Sequence, residues 1–375
     1  METSENSPPT LEDQNTSVSV RRALELLHLD NQDMKIQAAK DIRHLTKTSH
    51  RCRRQLQQAI TPLVSMLRVD LPESHEPALL ALLNLAVQDE KNKINIVEAG
   101  ALEPIVNFLK SQNQNLQEYA TASLLTLSAS TTNKPIITSY ETIPLLVNIL
   151  RNGSQQAKSD AVMALSNLST HHDNLNTILE SNPIPFIINI LKTCKKSSKT
   201  AEKCCSLIES LVDYEEGIVS LTSEEGGVLA VVEVLENGNP QSKEHAVGTL
   251  LRMCQSDRCK YREPILSEGV IPGLLELTVQ GTTKSKAKSC TLLQLLRDSD
   301  VETRCEIEGE TLENIVYDII SQIDGDEQFG KAKKMLDEMV QVSMEQSLRH
   351  LQQRALVSTT SDVSITSCAS EVSSK

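Results

Sequence analysis

One periodicity constrains this chain more than any other feature. The segments TPLVSML, EPIVNFL, IPLLVNIL, IPFIINIL, LAVVEVL and IPGLLELT each open an apolar helical run, in a shared register marked by Pro62, Pro104, Pro144, Pro185, Ala230 and Pro272. The spacings between them are 42, 40, 41, 45 and 42 residues. Stepping back 40 residues from Pro62 reaches Arg22 and the run ALELL, a seventh copy. A unit of this size cannot bury its own apolar face, so neighbouring units must stack into one continuous core.

The interior of each unit is legible as well. Proline is tolerated in the first helical turn, where its missing N–H has no intrahelical partner to lose. Ahead of it stand turn-prone elements such as Glu98-Ala99-Gly100-Ala101, Glu225-Gly226-Gly227 and Glu268-Gly269-Val270, whose glycines permit a sharp reversal between helices. Behind it come the polar linkers KSQNQN, RNGSQQ, ENGNPQ and VQGTTK, then a third helical run, as in EPALLALLNLAV with Leu79, Leu82, Leu83 and Leu85 at helical spacing. A short helix, a Pro-led second helix and a longer third helix is the armadillo pattern. HEAT repeats share the period but normally have two helices per unit, and the glycine hinge before the proline favours armadillo. The expected fold is all-α, a right-handed superhelical solenoid of about seven three-helix repeats, with third helices lining a concave groove and a C-terminal helical cap.

Composition agrees. Aromatic residues are 2% of the chain and Trp is absent, which suits helices packed by Leu, Ile, Val and Ala. A formal net charge of −13 argues against nonspecific binding to nucleic acid or an anionic membrane surface, both of which need a basic face. The cluster Arg51, Arg53 and Arg54 reads as a solvated helix start. No signal peptide and no membrane-length apolar run stand out, so a cytoplasmic or nuclear location is expected. The nine Cys then read as reduced, buried small hydrophobes, and Cys204-Cys205 and Cys254/Cys259 lack a second ligand pair at zinc spacing. No cofactor is expected.

The stretches NKINIVEAGALEPIVNFL (92–109), NKPIITSYETIPLLVNILRNGS (133–154) and CKYREPILSEGVIPGLLELTVQGT (259–282) resemble the armadillo domain of plant U-box/armadillo proteins, over roughly residues 20–297. Ligases of that family carry a U-box ahead of the repeats. Only about 17 residues precede the first repeat here, too few for such a domain, so the chain is similar to the armadillo-only relatives, and no enzymatic activity is expected. The resemblance implies partner proteins, among them cytoplasmic domains of receptor-like kinases; components of the ubiquitin-ligase machinery are the alternative.

Armadillo carriers of nuclear-localisation peptides use a column of Asn on the third helices with Trp one turn earlier. The Asn column here reads His44, Asn84, Thr126, Asn167, Ser210, Arg252 and Gln294, and the earlier position reads Lys40, Leu80, Ala122, Met163, Ser206, Gly248 and Cys290. Without aromatic slots, an importin-like groove is not expected. The seven column residues are the candidate partner-binding positions, although Asn84 and Asn167 can equally satisfy a neighbouring repeat's backbone. Arg252, Arg258, Lys260 and Arg262 form a candidate cationic spot for an acidic or phosphorylated partner, with local pairing to Glu244 or Glu268 as the plainer reading.

Other constellations fall away. GDEQFGK (325–331) has phosphate-loop spacing, but Ala332 stands where a hydroxyl is required and a helix precedes it, so it reads as an inter-helix turn. His171-His172-Asp173 reads as a solvated loop. The expected organisation is a disordered N-terminus (1–17), the repeat array (18–297), acidic and amphipathic C-terminal helices (298–356) and a disordered Ser/Thr-rich tail (357–375). Residues 301–328 carry nine acidic residues and one basic residue.

Overall fold

The computed structural model describes residues 11–297 and residue 334, with side chains from residue 16 onward. The expected C-terminal helices, the tail, the GDEQFGK turn and the first ten residues lie outside the described residues. Among the described residues every regular element is a helix. The order is a helix pair, α1 (Leu11–Leu27) and α2 (Gln32–Thr46), followed by six helical triplets. These are α3 (His50–Gln55), α4 (Ile60–Arg68) and α5 (Pro72–Ala86); α6 (Glu90–Glu98), α7 (Leu102–Leu109) and α8 (Gln114–Ser128); and α9 (Asn133–Thr138), α10 (Thr142–Asn152) and α11 (Gln155–Leu168). They continue with α12 (Asn174–Glu180), α13 (Ile184–Thr193) and α14 (Lys199–Leu211); α15 (Glu215–Ser223), α16 (Gly227–Asn237) and α17 (Pro240–Ser256); and α18 (Arg258–Ser267), α19 (Ile271–Gln280) and α20 (Thr283–Leu296). The fold is that of an armadillo-repeat solenoid.

Two expectations need correction at the N-terminus. Among the described residues the first repeat shows two helices, α1 and α2. Helix α1 also starts at Leu11, inside the stretch expected to be disordered. Its buried face, Val20, Ala23 and Leu27, packs on α2 and anchors the turns that precede it.

The chain divides into two compact units, 1–249 and 250–375. In the first, the third helices α2, α5, α8, α11 and α14 pack each against the next. In the second, α18 and α19 pack on α20. The core is aliphatic: Ile42, Leu63, Leu79, Leu82, Leu85, Ile105, Leu124 and Leu127 are at most 2% exposed. Each such burial is worth about 1.5–3 kcal/mol. The polar linkers supply the caps of the helices after them. Asn113, Ser154 and Thr282 each accept a backbone N–H at the start of α8, α11 and α20.

The five register prolines all sit in a first helical turn, in α4, α7, α10, α13 and α19. The hinge before the second helix is left-handed in five repeats, at Gly100, Glu141, Asn182, Gly226 and Gly269. Glycine and asparagine adopt that conformation readily; a glutamate at φ +54° does not. Glu141→Gly is therefore expected to stabilise the protein by about 1 kcal/mol, visible as a rise in the thermal midpoint. A lower midpoint would show that the Glu141 side chain contributes more than its backbone strain costs.

Candidate protein-binding face

The column residues all lie on third helices, and none is buried. His44 and Gln294 are exposed, while Asn84, Thr126, Asn167, Ser210 and Arg252 are half-buried. Their chemistry is mostly turned toward the protein. The Thr126 hydroxyl donates to the Ala122 carbonyl (2.9 Å) and that of Ser210 to the Ser206 carbonyl (3.1 Å), each within its own helix. Asn84 Nδ2 donates to the Arg43 carbonyl on α2 at 2.9 Å. Asn167 Nδ2 donates to the Leu125 carbonyl at 3.4 Å and to Ser128 Oγ at 3.2 Å on α8. Of the two readings held open for these asparagines, the structure shows the stitching of one third helix to the preceding one. Each amide keeps a second N–H and a carbonyl oxygen for other partners.

The cationic spot divides. Arg258 Nε donates to the Leu295 carbonyl at 2.6 Å, and its Nη2 donates to the Arg297 carbonyl. Arg262 Nε donates to the Leu296 carbonyl at 2.8 Å and its Nη1 pairs with Glu263. Both guanidinium groups thus close the carbonyl end of α20, where the helix dipole favours positive charge. Lys260 lies 5.0 Å over the Tyr261 ring, and Arg252 also has interactions of its own. The structure pairs Arg262 with Glu263, a neighbour that the choice of Glu244 or Glu268 had passed over.

A second polar column escaped the sequence reading. Asn92, at the start of α6, is 1% exposed, and its Nδ2 donates to the Leu85 carbonyl (3.0 Å) and the Arg53 carbonyl (3.2 Å). Asn133 repeats the geometry toward Leu127 (3.2 Å) and Lys93 (3.1 Å), and Asn174 donates to Leu168 at 2.9 Å. Each rung ties a first helix to the carbonyl end of the preceding third helix. In the next repeat the position is Gly217, and a Cβ there would collide with the Leu211 carbonyl, so close backbone approach replaces the rung. Arg53 is the first rung: Nε donates to the Thr46 carbonyl (2.9 Å) and Nη2 to that of Lys47 (3.2 Å). At 5% exposure it is no part of a solvated cluster, which corrects the reading of Arg51, Arg53 and Arg54. The sequence signal was present as Asn92, Asn133 and Asn174 at intervals of 41.

Reactive chemistry is sparse among the described residues. His171 pairs loosely with Asp173 at 3.5 Å on the surface. Burial pushes the Asp160 carboxyl on α11 up, a hydrogen bond from Gln156 opposes it, and Glu118 adds to the rise. No helix among the described residues is long and apolar enough to cross a membrane. Cavities open between repeats among the described residues. One of about 530 Å³ involves Leu179, Asn182, Glu215 and Val219. Another, of about 360 Å³, is lined by Lys40, Arg43, His44, Lys47 and Asn84.

Comparison with known proteins matches residues 80–305 to the family described as the plant U-box protein ARM repeat region. U-box domain-containing protein 45 of Arabidopsis thaliana is 31% identical over 290 residues, 74% of this chain and 37% of that protein. The chain therefore spans well under half of this relative's length. Among solved structures, an engineered protein aligns over 92% of this chain and 86% of its own, with a TM-score of 0.66 and 16% identity. A designed armadillo repeat protein in complex with the peptide (KR)4 aligns over 64% of this chain and 99% of its own, with a TM-score of 0.53 and 16% identity. Both show likeness of fold.

Proposed function

Because this chain belongs to the family of plant U-box protein armadillo-repeat regions, we propose that it is a non-enzymatic adaptor that binds segments of partner proteins across its third-helix face. The armadillo fold in general serves as a protein-binding scaffold. The observation that carries the reading is the row of third helices in the first unit. They pack consecutively, and three of them, α8, α11 and α14, present small, half-buried polar side chains at Thr126, Asn167 and Ser210. An extended segment laid along them meets hydrogen-bonding groups at each repeat. Arg252 holds the same register in the second unit, and a contact from it to an acidic segment, such as a kinase domain presents, belongs to this proposal.

Bulky charge on that face tests it. The full chain carrying Thr126→Arg and Ser210→Arg is expected to retain at least about tenfold less of the proteins that wild type captures. A variant on another element, Glu216→Arg, is expected to retain them all. Equal retention by both variants overturns the assignment of the face.

The relationship to a U-box protein supports a second reading, that of a non-catalytic component of ubiquitin signalling that binds ligase partners or substrates. The chain alone, with ubiquitin, activating enzyme and a panel of conjugating enzymes, is expected to give no ubiquitin ladder above a blank. Self-ubiquitination would refute the non-catalytic assignment.

A further inference from the structure

The cavity of about 360 Å³ between α2 and α5 concentrates positive charge on a protein of net charge −13. Lys40, Arg43 and Lys47 succeed one another at steps of three and four residues, so they share one face of α2 and its C-cap. All three are exposed, as is His44 between them. No carboxylate among the described residues lies within ion-pair distance of these three cations.

Such a cluster at a helix end has an ordinary explanation, the capping of terminal carbonyls. Here that work is done by other groups. The Arg43 carbonyl accepts from Asn84, the His44 carbonyl from the Lys47 N–H, and the Thr46 and Lys47 carbonyls from Arg53. The side chains of Lys40, Arg43 and Lys47 are left unspent. Asn84, held in place by its bond to Arg43, faces the same cavity with one N–H and its carbonyl oxygen still available.

We infer that this cavity binds a phosphorylated serine or threonine in an extended segment of a partner protein. Three cations exceed what one carboxylate neutralises. A phosphate monoester brings nearly two negative charges and three strong acceptor oxygens, matching an Arg fork flanked by two ammonium groups. Asn84 supplies paired hydrogen bonds to the main chain beside the phosphoresidue. The inference rests on the reading of the third-helix face as the partner-binding surface, and it fixes the chemistry at one end of that face.

The test uses the full chain and an array of peptides with a central phosphoserine and degenerate flanks, beside the same array with serine. Wild type is expected to be retained at least about tenfold more by the phosphorylated set. Arg43→Glu with Lys47→Glu is expected to remove at least about tenfold of that binding, whereas Lys195→Glu keeps it. The milder pair Lys40→Gln and Lys47→Gln, expected to preserve the thermal midpoint, separates charge loss from misfolding and is expected to weaken retention in the same direction. Equal retention by the two sets, or phosphopeptide binding indifferent to both cavity variants, overturns the inference. So does variant-sensitive binding to phosphatidylserine vesicles or RNA that exceeds binding to the phosphorylated set. Should the Thr126→Arg/Ser210→Arg chain lose its captured proteins while the phosphorylated set shows no preference, this inference fails and the adaptor reading stands.

Discussion

Asn92→Ala is expected to lower the midpoint of thermal unfolding by about 10 °C, whereas Asn115→Ala, on an exposed surface, is expected to shift it by less than about 2 °C. Asn92 is 1% exposed and bonds two carbonyls with one amide nitrogen. Both acceptors, Leu85 on α5 and Arg53 on α3, stand in the last turn of their helices, where carbonyls run out of intrahelical donors. Alanine leaves both inside the protein without that donor, at about 1–3 kcal/mol each. A combined loss near 3 kcal/mol converts to the stated shift for a unit of this size. Asn92→Asp keeps the shape but replaces the donor by a carboxylate, so it is expected to be at least as damaging. A midpoint within about 2 °C of wild type for the alanine variant would show that the column is ornament rather than fastening.

The second large effect concerns the thiols. At pH 8 Cys254 is expected to react with iodoacetamide on the order of a hundredfold more slowly than an ordinary exposed thiol, and Cys204 and Cys205 more slowly still. Burial pushes the Cys254 thiol up to about 11 against the pull of Arg258 and Arg262. It drives Cys204 well above the ordinary range and raises Cys205 further than Cys254. Because the thiolate is the nucleophile, a raised pKa removes the reactive species while burial denies access. Cys259, exposed on α18, is expected to label first among the described cysteines. Peptide mapping of timed alkylation checks each site, and guanidinium should erase the differences. Rapid labelling of Cys204 in native protein would mean that α14 opens locally.

The structure bears on sequence expectations unevenly, and the reason is physical. Repeat length, helix order and the prolines at Pro62, Pro104, Pro144, Pro185 and Pro272 were all legible, because they obey rules that act over a few residues. Apolar spacing selects a helix, proline demands a first turn, and a serine or asparagine in a linker caps the next helix. Low aromatic content likewise announced an aliphatic core. The start of α1 was less legible, because a polar sequence such as LEDQNTS carries no apolar signal of its own and extends a helix fixed by Val20, Ala23 and Leu27.

Which side chains are free and which are spent was settled only by tertiary structure. Arg53 and Arg258 look in the sequence like surface charge beside other charges. Both are consumed by carbonyls at the ends of third helices, α2 in one case and α20 in the other, the latter 37 and 39 residues away along the chain. Asn84 and Asn167 read in the sequence equally as contacts for a partner and as ties to a neighbouring repeat, and they are bonded to the preceding repeat. Lys40, Arg43 and Lys47, by contrast, meet no carboxylate within ion-pair distance among the described residues, and Arg53 and Asn84 take the carbonyls they would otherwise cap. The sequence by itself determined the repeating unit, since local periodicity and backbone rules are written in consecutive residues. The pairing of polar groups between units belongs to tertiary structure alone, since donors and acceptors about forty residues apart meet only after the units have stacked.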